Sequence, residues 1–208
     1  MSAKSPLVNA LRTRPWARRS LSVFSVLLLL GGLGLVGYPF ATNVYQGQVQ
    51  SRLGQQIASP ELKQAYRERK VQTGDSLTRI RIPRLDVDAV VVEGTTPSAL
   101  RAGAGHYPQT ALPCDVGNVA IAGHRTTYGR PFANLDKLRK GDTIELSTPV
   151  GSCIYQLSKD PFVTTPTDLS VLEPTTTKTV TLTTCHPRGS AAQRLIVQGS
   201  WVKDLSQA

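Results

Sequence analysis

The sequence predicts an all-β domain, a closed or partly closed β-barrel with short helices, behind an N-terminal transmembrane helix. Three observations carry this reading. An uncharged apolar run occupies residues 21–40, short apolar runs broken by Gly, Pro and Thr begin at Leu77 and continue along the chain, and no long, strongly periodic helix interrupts them. The 208 residues suffice for one ordinary globular domain plus an extra segment, and are too few for a large multidomain enzyme.

The apolar run LSVFSVLLLLGGLGLVGYPF would span about 30 Å as a helix at 1.5 Å per residue, the thickness of a bilayer core. Its glycines and serines are common in membrane helices, and Pro39 falls near its end. Residues 1–20 hold Lys4, Arg12, Arg14, Arg18 and Arg19 with no acid. The positive-inside rule therefore keeps this tail cytoplasmic and exports the chain beyond the apolar run. A cleaved signal peptide shares the same charged and apolar regions, but no small-x-small cleavage site succeeds the run. The reading is an uncleaved, single-pass signal anchor that meets membrane lipid.

Of the formal net charge of +10, residues 1–20 carry +5, residues 41–70 carry +3 and residues 71–208 only +2. A nucleic-acid binder concentrates base on its folded surface to neutralise phosphates. Here the excess precedes the main domain, which points to a membrane and away from nucleic acid.

Residues 41–75 are Gln-rich and polar with sparse apolar positions, and read as a weakly helical stalk or linker. Ser59 followed by Pro60 and Glu61 marks a helix start, and Gly74 and Asp75 mark a stop. The strands come in TRIRIPRLDVDAVVVEG, GNVAIAGH, DTIELST, CIYQLSK, KTVTLTTC and QRLIVQGSW. Short helices are expected around 97–101 and 132–138, and the Thr-rich stretches 164–167 and 175–179 read as loops.

Three cysteines, Cys114, Cys153 and Cys185, show neither CxxC nor zinc-finger spacing. In an exported domain an odd count suggests one disulfide and one free thiol. Cys114 with Cys153 is the pairing if Cys185 stays reactive, although spacing alone does not show that their side chains meet. Cys185 ends the strand TVTLTTC before His186 and Pro187, so it reads either as a displayed thiol or as a small buried hydrophobe.

His124 ends GNVAIAGH and could exchange a proton with a thiolate nucleophile, a combination suited to acyl transfer. His186, beside Cys185, points to the opposite face if the strand continues, which makes it the poorer partner. His106 reads equally as a rim residue or as a hydrogen-bonding histidine of a turn. Arg194 opens RLIV at a position where a hairpin would return it beside Cys185; its guanidinium would either steady an oxyanion or face solvent.

Together, HYPQTALPCDVGNVAIAGHRTTYGRPFANLDKLRKGD and LTTCHPRGSAAQRLIV resemble the sortase family, and look most like its class E housekeeping branch. The resemblance covers residues 76–203, within a catalytic domain set at 76–205. It implies an eight-stranded β-barrel and a catalytic His124, Cys185 and Arg194. It implies a cysteine transpeptidase that cleaves an LAxTG-like C-terminal sorting signal between Thr and Gly and passes the secreted protein to the amine of a lipid II-like peptidoglycan precursor. Tyr107 is carried over as a contact to the substrate motif, and Thr183 and Thr184 as residues lining or supporting the same groove or as ordinary strand formers. No cofactor and no metal are expected, because the acidic residues are scattered without calcium-loop spacing. A pilin-polymerising sortase, a thiol protease and a nonenzymatic surface peptide-binding domain are the alternatives.

Overall fold

The computed structural model describes residues 15–205, in two units. The first ends at Ala41 and is the N-terminal part of helix α1, Pro15–Gln56. Within it, Arg18–Tyr38 is long and apolar enough to cross a membrane by length and composition. The basic tail expected at 1–20 falls largely outside the described residues, which include Arg18 and Arg19.

The second unit begins at Thr42 and is a barrel of antiparallel and parallel ladders. Its strands are β1 Ser76–Ile82, β2 Val87–Glu93, β3 Ala104–His106, β4 Gly117–Ala122, β5 Thr143–Thr148, β6 Gly151–Leu157, β7 Phe162–Thr164, β8 Lys178–His186 and β9 Gln193–Leu205. The sheet order β6-β5-β1-β2-β3-β4-β8-β9 closes on itself through a β6–β9 ladder. This ring has the eight strands the resemblance implies. The 13-residue β9 makes closure possible: one edge pairs with β8, while the other pairs with β7 at Arg194–Ile196 and with β6 from Gly199 onward. β7 is therefore a short addition beside the seam.

Alternation along the strands fills the barrel. Ile80, Ile82, Val119, Ile121, Val180, Leu182, Leu195 and Val197 point inward, and Phe132, Leu135 and Leu138 from the β4–β5 connection plug the interior. Buried aliphatic and aromatic side chains of this kind each contribute about 1.5–3 kcal/mol relative to exposure. Where the sequence suggested a helix at 132–138, only the 3-10 turn Leu135–Lys137 forms, because its apolar residues are drawn into the barrel mouth. The helix expected near residue 97 forms as α3, Pro97–Ala102, with Thr96 Oγ1 accepting from Ala99 N.

The stretch expected as a stalk has more structure than a spacer. From Thr42 on, the end of α1 lies along β2 and α3: Leu53 packs with Val90, Val92 and Ala99. Gln50 accepts from Val90 N at 2.7 Å and donates to Ala102 O at 2.8 Å. Sparse apolar residues underestimated this docking because glutamines do the recognition through backbone groups. Helix α2, Pro60–Arg67, starts where the sequence places it, with Ser59 Oγ accepting from Leu62 N. It stops before Gly74, where Arg69 enters the left-handed region at φ 56°, while buried Tyr66 is held through its hydroxyl donating to Pro113 O at 2.8 Å.

Candidate active site

Two strand ends and one hairpin bring the expected residues together. β4 and β8 run parallel with Ala122 opposite Thr183. The pairing continues past the end of β4, since Gly123 N donates to Thr183 O at 3.1 Å and Thr184 Oγ1 donates to Gly123 O at 2.7 Å. His124 thus leaves β4 at the level of Cys185. On the other side of β8, Cys185 is the direct ladder partner of Arg194 on β9.

Period-two alternation gives the face. Val180 and Leu182 point into the core, so Thr181, Thr183 and Cys185 face outward; Leu195 and Val197 point inward, so Arg194 faces outward beside Cys185. Val119 and Ile121 assign Ala122, and by continuation His124, to the same outer face. The three side chains share the outside of the barrel at one end of the β4–β8–β9 sheet. Each is partly exposed, as reacting groups must be, and Cys185 is a free thiol.

Gly123 explains how the chain turns here. A Cβ on it would stand 2.5 Å from Phe132 Cδ2, so the ring that plugs the barrel occupies the space a side chain would need. Phe132 N donates to His124 O at 3.2 Å and closes the intervening loop, in which the Tyr128 ring lies 5.3 Å from that of His124. Partial burial pushes the His124 imidazole below its ordinary pKa, because desolvation disfavours the charged ring.

Tyr107 comes directly after β3 and reaches the same face, where its hydroxyl and Thr183 Oγ1 are 3.1 Å apart. Thr184 does not line this face: its hydroxyl is turned to Gly123 O and holds the two strand ends together. His106 is no rim residue. It is 1% exposed, with Nδ1 2.9 Å from Glu93 Oε2 and Nε2 2.9 Å from Ala111 O, so it anchors the segment that carries Tyr107. Cys114 is bonded to Cys153, which ties the loop after Tyr107 to β6.

Sequence reading missed Arg125. Its side chain is 4% exposed and ion-paired to Asp136 at 3.1 Å, and one Nη donates to His186 Nδ1 at 2.8 Å and to Cys185 O at 3.4 Å. The only signal was adjacency to His124, which does not separate a buried arginine from a surface one. Arg194 in turn donates from one Nη to Ala191 O and Gln193 O, both at 3.0 Å, bracing its own hairpin.

The sortase domain model matches residues 80–202. Sortase SrtE1 of Streptomyces coelicolor is 34% identical over 148 residues, covering 64% of this chain and 42% of that relative, so the chain spans less than half of the latter's length. Sortase D of Bacillus subtilis is 30% identical over 136 residues, covering 64% of this chain and 67% of the relative. Among solved structures, a Clostridium perfringens sortase D5 transpeptidase matches with a TM-score of 0.66 at 31% identity, over 76% of this chain and 98% of that one. Sortase E1 of Streptomyces coelicolor, solved with a tripeptide in its active site, matches with a TM-score of 0.58 at 32% identity, over 63% of this chain and 90% of that one. A closed eight-stranded ring with a thiol, an imidazole and a guanidinium at one sheet end, a domain match over more than half the chain, and relatives named sortase E agree: this chain belongs to the sortase family and is similar to its class E members.

Proposed function

We propose that this protein is a membrane-anchored cysteine transpeptidase that cleaves an LAxTG-like sorting signal between Thr and Gly. The observation that carries the reading is the placement of Cys185 between Arg194, its ladder partner, and His124, at the matching level of the adjacent parallel strand. The tripeptide in the active site of the Streptomyces coelicolor relative supports a peptide substrate.

His124 takes the Cys185 thiol proton, the thiolate attacks the threonine carbonyl, and Arg194 steadies the tetrahedral oxyanion. The C–N bond to glycine breaks as His124 gives a proton to the leaving amine. A thioester on Cys185 remains. The amine of a cell-wall precursor then attacks it, His124 takes up the proton, and a new amide forms as the thiolate is released. Water in place of the amine gives slower hydrolysis. Tyr107 and Thr183 contact the sorting motif; Thr184 supports the groove from below. α1 holds the enzyme in the cell membrane with its N-terminus cytoplasmic and the barrel outside, where secreted substrate proteins emerge.

The full chain in detergent micelles, incubated with LAxTG and LPxTG peptides and read by mass spectrometry, tests this. The expected results are a peptide adduct on Cys185 and a new product that requires an added amine, both lost in Cys185→Ala. Turnover independent of amine indicates a thiol protease, and preference for a protein lysine a pilin polymerase. Folded enzyme that forms no adduct with either peptide overturns the reading in favour of a binding domain.

A further inference from the structure

We infer that Arg125 is a positioning residue that holds Cys185 in its reacting orientation by clamping the end of β8 to the loop that carries His124. The inference rests on the reading of Cys185 as the nucleophile.

Three elements meet on this one side chain. Arg125 belongs to the loop that leaves β4, Cys185 and His186 to the end of β8, and Asp136 to the 3-10 turn Leu135–Lys137. From its own loop the guanidinium bonds to the other two, at Cys185 O and His186 Nδ1 on β8 and at Asp136 Oδ1 on the turn. Its Nε is buried without a partner.

Burying a guanidinium is costly, and the carboxylate against it, Asp136, is 41% exposed and shared with Arg188. An apolar side chain would fill the same space without that cost, so packing does not account for an arginine here. What the guanidinium provides is a planar fork with donors in fixed directions. Having no acceptor, it makes His186 Nδ1 accept, which places the ring proton on Nε2. The ring and the Cys185 carbonyl are thereby tied to the same Nη.

The place matters because the β8–β9 ladder runs out here, at Cys185 opposite Arg194 and His186 opposite Gln193. The last residues of a ladder fray unless tied by something else. Arg125 is that tie, and it is adjacent in sequence to His124, so the thiol and the imidazole share one support.

Arg125→Met keeps much of the volume and removes the fork and the charge. In the full chain in detergent, Cys185 alkylation by iodoacetamide and kcat for thioester formation should each fall about tenfold, with KM for the peptide nearly unchanged. The 15N spectrum of His186 should lose its acceptor Nδ1 signature, and Arg125→Lys should recover part of the alkylation rate. A folded Arg125→Met protein with wild-type alkylation and an unaltered His186 spectrum overturns the inference. Should that variant not fold, Asp136→Ala, which removes the acceptor and frees one end of the fork at an exposed turn, should still slow alkylation measurably; a wild-type rate there overturns it equally. Alkylation and the histidine spectrum need no sorting peptide. If they respond while wild-type enzyme turns over no peptide, the transpeptidase reading fails and the role of Arg125 stands.

Discussion

Cys185 and Arg194 are directly opposed residues of one antiparallel ladder, and both face outward. A one-residue slip of β9 would turn Arg194 into the barrel and Leu195 out, exposing a core residue, so burial itself enforces the pairing. The guanidinium is also braced by Ala191 O and Gln193 O. Arg194→Ala should lower kcat for thioester formation about 100-fold or more while leaving Tm within a few degrees. Arg194→Lys should recover only part, since an ammonium lacks the planar fork. Single-turnover kinetics with the LAxTG peptide check this, and a Lys variant equal to wild type would contradict it.

The bond between Tyr107 and Thr183 links the segment after β3 to the strand that carries Cys185. If the phenol also meets a peptide N–H of the sorting motif, the position after leucine decides the effect, because proline has no N–H. Tyr107→Phe should reduce kcat/KM for LAxTG up to about tenfold and leave LPxTG almost unchanged. An equal loss on both peptides would assign Tyr107 to support of Thr183 alone.

Strands with a strong apolar pattern were legible in the sequence. β3 and β7 were not: each has three residues, and the AGH of β3 offers neither β-branched residues nor alternation. His124, Cys185 and Arg194 were legible because each ends or opens a recognisable strand. Their convergence was not, since the parallel β4–β8 register and the β8–β9 ladder are long-range facts. Arg125 and Glu93 stayed hidden for a related reason: charge in a sequence suggests the surface, and both are buried on partners distant in the chain. The docking of the end of α1 was not legible because Gln46 and Gln50 make it by binding backbone groups, which leaves no hydrophobic period there.

Burial holds the His124 imidazole below its ordinary pKa near 6.5. At pH 7 the ring is therefore mostly neutral, the form in which the proposed mechanism needs it to take the thiol proton and pass it to the leaving amine. The same shift makes stability depend on pH. The unfolded chain binds the proton more readily, so this contribution is present above the unfolded value and is lost as pH falls through it, levelling off below the folded value. A titration of the His124 ring by NMR should show a midpoint under 6.5, and a midpoint at or above it would refute the desolvated environment.

Gly123 lies between His124 and the ring of Phe132 in the core. Gly123→Ala would force its Cβ against the Phe132 ring, a rigid group packed among Leu135 and Leu138. Overpacking of this kind costs about 1–3 kcal/mol. Because Phe132 N also holds His124 O, the displacement should reach the imidazole. The expected result is a lower Tm together with slower thioester formation, whereas Phe132→Leu in the same background should restore part of both. Denaturant unfolding and single-turnover rates measured on the two variants separate this from a purely local effect at His124.

The Cys114–Cys153 bond spans a sequence separation of 39 and joins the loop after Tyr107 to β6. Chain entropy alone predicts that closing a loop of this size removes unfolded-state freedom equivalent to about 4 kcal/mol. Replacing both cysteines by alanine should lower Tm by about 10 °C. The thiol that reacts is not in this bond, so Cys185 alkylation in the cold should keep its wild-type rate. Calorimetry and alkylation on the double variant test the two statements independently. Loss of alkylation in a variant that is still folded would mean that the tether also orders the site, through the segment that ends at Tyr107. Unchanged Tm would mean that native packing of the loop, including the Tyr66 bond to Pro113 O, already supplies the restraint.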